Sequence, residues 1–360
     1  MNPLSNIRPH SSPIKSLKFY CSAIKIRLLR LYLHRTETKD MTRAPEIVVL
    51  GHHGCGARQV RVHHIPVIGE TVIATGFKIA KDGGKGSHQA MVIGRLGGNV
   101  GFIGKIATDE QSDAAKQWLI DDHVDITHLL RMDYQLAGAG MIMVDDNGNN
   151  AIVSVPGIRA TLKFEEVKPC IEDFKGGKYF ITGFEIPIPT ALEGARLAKS
   201  LGMQTILNPA PAQESIGVLD YIDILIPNET EAKILAGHSV QDEVEPAELA
   251  KILREKYQVK TVIITLGEKG ALCDEGKDSF GVGSVTVKAV DTTGAGDTFI
   301  GAFTLALAEG KKIQDAMAWA NYAAALSVSR PGSIPSFPRR DEMEEFIKRC
   351  GNIEDLRYHE

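Results

Sequence analysis

The sequence predicts an α/β fold: a three-layer arrangement with a mostly parallel sheet, helices on both faces and a small β-sheet lid. Three observations lead there. Short, nearly continuous apolar runs alternate with segments of helical period, the pattern of βαβ units whose strands are covered on both faces. Two extended stretches have no helical segment beside them and stand outside that rhythm. Hydrophobic residues are 43% of the 360 positions and charged residues 24%, enough apolar material for one large core.

The first forty residues differ from the rest. They carry eight basic side chains and two acidic ones, Glu37 and Asp40. Residues 19–33 can wind into a basic amphipathic helix. An acid-poor leader with Arg and Ser suits an organelle transit peptide. A true start at Met41, just ahead of the first convincing strand, suits an overextended reading frame. Both readings stay open beside a membrane-surface helix, and the leader is set outside the fold. The expected location is cytoplasmic, or an organelle if the leader is a working transit peptide.

From Met41 onward the expected strands are Ile47–Leu50, Val100–Ile106, Lys178–Thr182, Gln204–Leu207, Ile222–Ile226 and Thr261–Thr265. Helical spacing falls between them at Ser87–Leu96, Glu110–Asp121, Pro189–Leu201, Glu229–Ala236 and Pro246–Tyr257. This is a Rossmann-like succession. Val67–Ile79 and Gly140–Val155 read as extended and partly alternating, with an Asn-Gly hairpin signal in Asp146-Asn147-Gly148-Asn149. Lacking helices to cover them, they are assigned to the lid. Ala295–Glu309, Ile313–Ser329 and Arg339–Arg349 close the domain as helices. The domain spans residues 41–350, and 351–360 form a tail.

Composition narrows the function. The formal net charge is −4, which argues against nucleic acid as a partner. No uninterrupted apolar run reaches the roughly 18 residues of a spanning helix, so no membrane partner is expected. The five cysteines, Cys21, Cys55, Cys170, Cys273 and Cys350, are odd in number and scattered. They suggest neither a disulfide framework nor a thiolate zinc site.

Two glycine motifs fail as phosphate loops. Gly84-Lys85-Gly86 has glycine where a Walker loop needs Ser or Thr, and Gly54-x-Gly56 meets Gln59 where a dinucleotide fingerprint needs its third glycine. The sharper feature is Asp291-Thr292-Thr293-Gly294-Ala295-Gly296-Asp297-Thr298-Phe299, opening an apolar helical run. Gly294, Ala295 and Gly296 would present backbone N–H groups at a helix N-terminus, an anion site by donor count and dipole. Asp297 in the first turn is either a dipole partner or a base. As a base it would take a hydroxyl proton while that oxygen attacks a phosphoryl group.

That nine-residue run resembles the second signature of the ribokinase-like (PfkB-type) carbohydrate kinases. Gly83-Gly84-Lys85-Gly86-Ser87-His88-Gln89-Ala90 with Arg95-Leu96-Gly97-Gly98 resembles the first. Asn208-Pro209-Ala210-Pro211-Ala212, Pro227-Asn228-Glu229-Thr230-Glu231 and Thr265-Leu266-Gly267-Glu268-Lys269-Gly270 are similar to further blocks of the family, in its order. The resemblance covers roughly Ile47 to Phe346 and looks closest to the ribokinase branch. It implies an ATP-dependent kinase that phosphorylates a primary hydroxyl of a pentose-like sugar. Asp297 would be the catalytic base, with Gly294, Ala295 and Gly296 as the anion hole. Asn228 and Glu231 would approach the phosphates and Mg²⁺ through water. Thr265, Gly267 and Gly270 would hold the nucleotide, and Asn321 would lie near the adenine. Gly84, Lys85, Gly86, His88 and Glu185 would line the sugar site. Asp291, Thr293, Ser327, Arg330, Gly332 and Ser336 would surround a monovalent cation such as K⁺, mostly through carbonyls. Arg330-Pro331-Gly332 also reads as a plain helix stop. A homodimer joined through the lid is implied as well.

The sugar end departs from the family pattern. Ribokinases carry Gly-Ser-x-Asn-x-Asp after the first strand, and this chain has Gly51-His52-His53-Gly54-Cys55-Gly56. Gly54 and Gly56 stand where the family has Asn and Asp, and His88 stands where it has Asn. The expectation is that the two glycines open room for a group other than ribose, with His52, His53 and His88 as polar contacts or as packing. A nucleoside kinase, a kinase of another small polyol, and a catalytically silent sugar-binding protein are the alternatives.

Overall fold

The computed structural model describes residues 44–133, 138–147, 149–351 and 357–358; the basic leader lies outside them. In chain order the strands are β1 (Ile47–Leu50), β2 (Ala57–Arg61), β3 (Gly76–Ala80), β4 (Val100–Ala107), β5 (Leu129–Met132), β6 (Ala139–Val144) and β7 (Asn150–Val155). They continue with β8 (Tyr179–Gly183), β9 (Gln204–Asn208), β10 (Ile224–Leu225), β11 (Thr261–Thr265), β12 (Ala271–Asp274), β13 (Ser279–Val282) and β14 (Arg357–Tyr358). The helices are α1 (Lys85–Arg95), α2 (Glu110–Asp121), α3 (Phe164–Asp173), α4 (Ile188–Ser200), α5 (Glu229–Ala236), α6 (Pro246–Tyr257), α7 (Ala295–Ala308), α8 (Ile313–Val328) and α9 (Arg340–Cys350).

β1 lies inside the main sheet because all four of its side chains are apolar and fully buried. Successive residues of a strand point to opposite faces. Accordingly Ile47 and Val49 join the core with Met91 of α1 and Phe303 of α7, while Val48 and Leu50 join Ile171 of α3 and Leu253 of α6. β1 pairs in parallel with β4 on one side and β8 on the other. The sheet order is β14-β13-β12-β11-β10-β9-β8-β1-β4-β5. It is parallel from β5 to β11, and β12, β13 and β14 are added antiparallel. The reversal of strand order at β1 opens a crevice at the carboxyl ends of β1 and β8, where open α/β sheets bind ligands.

The lid is a separate four-stranded sheet, β3-β2-β6-β7, with β2 and β6 parallel and both outer pairs antiparallel. The expected strand over Val67–Ile79 is corrected: only Gly76–Ala80 is a strand, and its partner is the unforeseen Ala57–Arg61. Residues 62–75 turn instead, with Glu70 accepting from Val67 N–H at 3.0 Å and bonding His64 at 2.6 Å. The β12–β13 hairpin, β5 and α3 were also unforeseen. The hairpin strands have four residues each, too short for a periodicity signal, and α3 carries an internal Pro169 that reads as a breaker. Part of the expected tail, residues 357–358, pairs with β13. Among the described residues no helix is long and apolar enough to cross a membrane.

Candidate active site

The family blocks are scattered in sequence and gathered by topology. Gly51, Gly183, Asn228 and Thr265 all stand at or just beyond the carboxyl ends of parallel strands. α1 starts against the exit of β1, where Gly51 and Gly86 touch so closely that a Cβ on either would lie 2.8 Å from the other's Cα. That approach sets Lys85, His88 and Gln89 opposite the first turn of α7. There His88 Nδ1 lies 3.1 Å from Asp297 Oδ2, and Gln89 Nε2 donates to Asp297 Oδ1 at 3.1 Å. Asp297 is 5% exposed and His88 3%.

Gly294 caps α7 in the left-handed region, φ 83°. Ala295 N–H closes the turn on Thr292 O at 3.2 Å, and Thr298 N–H on Gly294 O at 2.8 Å. The amides of Gly296 and Asp297 are left at the open end of the helix, without intrahelical partners. Two donors and the helix dipole there suit an anion beside the Asp297 carboxylate.

His88 serves the carboxylates rather than the cavity. Its Nε2 lies 3.1 Å from Asp82 Oδ1 and 3.1 Å from Gly83 N. One nitrogen cannot donate to Asp82 and accept from Gly83 together, so protonation selects between them. Burial alone would lower this imidazole, but hydrogen bonds to Asp297 and Asp82 outweigh it and hold it up to about 9. At neutral pH the Asp82 contact therefore holds. Asp82, which burial alone would raise, is held at about 2 chiefly by His88. In either protonation state Nδ1–H donates to Asp297.

The sugar end is a small cavity lined by His52, Lys85, Gln89, Glu185 and Asn208. Lys85 N–H donates to Glu185 Oε2 at 2.7 Å. The field of Asp297 lifts the Lys85 ammonium above its ordinary range. Burial pushes Glu185 up, yet His52, Lys85 and Arg159 outweigh it and keep the carboxyl below its usual range. Asn208 Nδ2 donates to Ile226 O at 3.0 Å, while its Oδ1 is buried without a hydrogen-bond partner.

The expectation of open room at Gly54 and Gly56 is corrected. A Cβ at Gly54 would lie 3.1 Å from His52 Cε1, so the imidazole of His52 fills that space. Gly56 has φ +99°, and its Cβ would lie 2.8 Å from Ala80 O. It is glycine because the lid hinge demands it. Arg159 Nη1 lies 2.9 Å from His52 Nδ1. Burial lowers His52, which accepts that bond as a neutral ring. His53 is a packing residue, edge-on to Phe102 and Trp118 at 6.2 Å each, and burial pushes it down to about 3.

Asn228 and Glu231 form a reciprocal capping box on α5: Glu231 N–H donates to Asn228 Oδ1 at 2.8 Å and Asn228 N–H to Glu231 Oε2 at 2.9 Å. Asn228 also bridges Thr265, fixing the ends of two strands together. Glu231 still acts on Lys85 through its field. Gly267 and Gly270 bound a 3₁₀ turn with φ +60° and +100°. Asn321 donates to the carbonyls of Val282 and Gly283 at 3.0 and 2.8 Å, which ties α8 to β13. Asp291 Oδ1 accepts from Thr293 N–H and Oγ1–H, and Oδ2 accepts from Gly332 N–H at 3.0 Å. Ser327 and Ser336 share a 2.8 Å bond, and Arg330 pairs with Glu342 at 3.1 Å. Arg330 can therefore offer a cation only its carbonyl. Motif reading missed Arg159 and Asp82; Asp82 directly precedes the first signature, whereas nothing local marks Arg159.

The model of the pfkB family carbohydrate kinases matches residues 64–340. Ribokinase of Haemophilus influenzae is 36% identical over 283 residues, 78% of this chain and 92% of that one. The crystal structure of Thermotoga maritima ribokinase superposes with a TM-score of 0.75 at 32% identity, over 84% of this chain and 99% of that one. Arabidopsis thaliana ribokinase complexed with ribose and ATP gives 0.76 at 27% identity, with the same coverages. Sequence blocks, sheet order and the meeting of α1 with α7 thus agree, and the chain belongs to the PfkB family of carbohydrate kinases.

Proposed function

We propose that this protein transfers the γ-phosphoryl group of ATP to a primary hydroxyl of a pentose-sized sugar, with Asp297 as the base. The carrying observation is the buried Asp297 carboxylate, gripped by His88 and Gln89 and set beside the free amides of an α-helix N-terminus. The acceptor hydroxyl gives its proton to Asp297 as its oxygen attacks phosphorus. The amides of Gly296 and Asp297, with Lys85, stabilise charge on the moving phosphoryl oxygens. Glu185 and Lys85 hold the sugar.

Among the described residues no three His, Cys, Asp or Glu side chains could hold a metal. Mg²⁺ therefore fits as a cation that arrives with ATP and neutralises its phosphate charge, reached by Glu231 and Asn228 through water. Asp291 is held below its usual carboxyl range by Thr293 and Gly332 against the opposing effect of burial. It stays anionic between two carbonyl-bearing loops, a donor set that suits K⁺. The exposed apolar lid supports a homodimer.

Asp297→Asn keeps the shape and removes the base. Its kcat should fall by about 10²–10⁴-fold with ATP binding kept, measured as ADP release and ATP affinity. A kcat within a few-fold of the parent rejects the assignment.

A further inference from the structure

Asp297 is gripped through both of its carboxylate oxygens by neighbouring residues of α1. His88 Nδ1 lies 3.1 Å from Oδ2, and Gln89 Nε2 donates to Oδ1 at 3.1 Å. A donor on each oxygen fixes the plane of the carboxylate as well as its position. His88 is also the middle of a longer chain. Its Nε2 lies 3.1 Å from Oδ1 of Asp82, in the loop between lid strand β3 and α1. That oxygen also accepts from Gly84 N–H at 3.1 Å. Ser333 Oγ donates to Lys81 O at 3.1 Å, which ties the same loop to the one behind α7. Phe337 stands edge-on to the His88 ring, with centroids 5.3 Å apart, and confines it from a third side.

Two carboxylates thus face one ring. An Asn at position 88, as in the family pattern, would meet them with an amide whose carbonyl oxygen repels either one. A protonated imidazole has donors only, one on each side. Burial alone would lower this ring, and the bonds to Asp297 and Asp82 hold it up to about 9. The other titratable groups around it are Lys85 on its own helix, lifted by the field of Asp297, and His53 from the loop after β1, which burial keeps neutral. With both ring protons given to carboxylates, His88 has none left for a sugar hydroxyl. Resting on the kinase reading, we propose that Asp82 and His88 are positioning residues for the reaction: Asp82 keeps His88 a donor at both nitrogens, and His88 holds Asp297 in the orientation that receives the acceptor's hydroxyl proton. That proton passes to Asp297 as the acceptor oxygen bonds to phosphorus and the bond from phosphorus to ADP breaks. His88 keeps both of its own protons throughout.

The test uses the full chain with Mg²⁺, ATP and a panel of D-ribose, 2-deoxy-D-ribose, D-xylose and L-arabinose, following the best acceptor across pH. The parent kcat should fall through about pH 9 to a lower plateau, because a neutral His88 exchanges Asp82 for Gly83 N–H and keeps Asp297. Asp82→Asn should lower kcat about tenfold or more and move that limb about one pH unit or more toward neutrality. Asp82→Glu should restore part of both. His88→Asn should lower kcat about 10–100-fold, abolish the limb and leave the acceptor KM within about threefold. Nitrogen-15 histidine NMR reads the bridge apart from turnover. The signal lost in His88→Asn should titrate near pH 9 in the parent and lower in Asp82→Asn. A raised acceptor KM with kcat kept in His88→Asn makes the ring a sugar contact and overturns the proposal. So does a limb that Asp82→Asn leaves in place, or a His88 signal that titrates at or below 6.5. Phosphorylation of any panel member upholds the kinase reading whichever way the limb behaves. No phosphorylation at all sinks the kinase reading and the positioning role with it, while a His88 signal titrating near pH 9 leaves the bridge itself standing.

Discussion

His53 and His88 flank Gly83 and respond to pH in opposite directions. His88 is held at about 9, above the ordinary value of 6.5, so its contribution to stability is complete below 6.5 and lost as pH rises through about 9. His53 is pushed down to about 3, so the unfolded chain takes up the proton first, and stability falls as pH drops below 6.5 toward 3. Both rings are buried, so each effect reaches the order of a few kcal/mol at most. Melting temperature should therefore peak near pH 6–7 and decline on both sides. His88→Asn should flatten the alkaline limb specifically, and an unchanged alkaline limb in that variant rejects the Asp82–His88–Asp297 arrangement. Both histidines stand out in the sequence, but their roles do not. A ring at a family ligand position reads as a sugar contact until Asp82 and Asp297 are found on its two nitrogens.

The helices and central strands were legible as elements because their apolar runs coincide with the core. β1, β4, β8, β9 and β11 match the expected runs to within about two residues. The lid was legible only in part. In β2, Ala57-Arg58-Gln59-Val60-Arg61 offers two apolar residues and no clean alternation, whereas Val67, Ile68 and Ile73 lie in the turning segment and are strongly exposed. Their apolar character does not come from strand burial, so the period misleads. The loops behind α7 follow similar logic. Asp291–Thr293 and Arg330–Ser336 are far apart in sequence, and the Gly332–Asp291 bond joins them beneath the anion site. A cation among their carbonyls would fix the N-terminus of α7. Activity should therefore rise when KCl replaces choline chloride at constant ionic strength, and Asp291→Ala should blunt the rise. A flat response in the parent removes the cation site.

At the scale of the whole molecule, the lid presents an apolar face that none of the described residues covers. The register places Ile79, Arg58, Met141 and Val153 in one cross-strand row and Phe77, Val60, Met143 and Ala151 in the next row on the same face. Phe77 is 65% exposed, Ile79 63%, Met141 53% and Val153 57%. Val153 is on this face, while Ile142 and Val144 belong to rows on the other. Fully burying a large apolar side chain is worth about 1.5–3 kcal/mol. Four from each of two copies, each already part-buried, still give roughly 6–12 kcal/mol or more, comparable with the 4–15 kcal/mol that association costs. The gain can cover that cost, so the expected state is a homodimer clasped lid to lid. Light scattering at micromolar concentration should give twice the single-chain mass. Phe77→Asp with Ile79→Lys should give the single-chain mass with the main-sheet core intact, since neither side chain contributes to it. A parent that scatters as one chain, or a double variant that remains a dimer, rejects the lid as the interface.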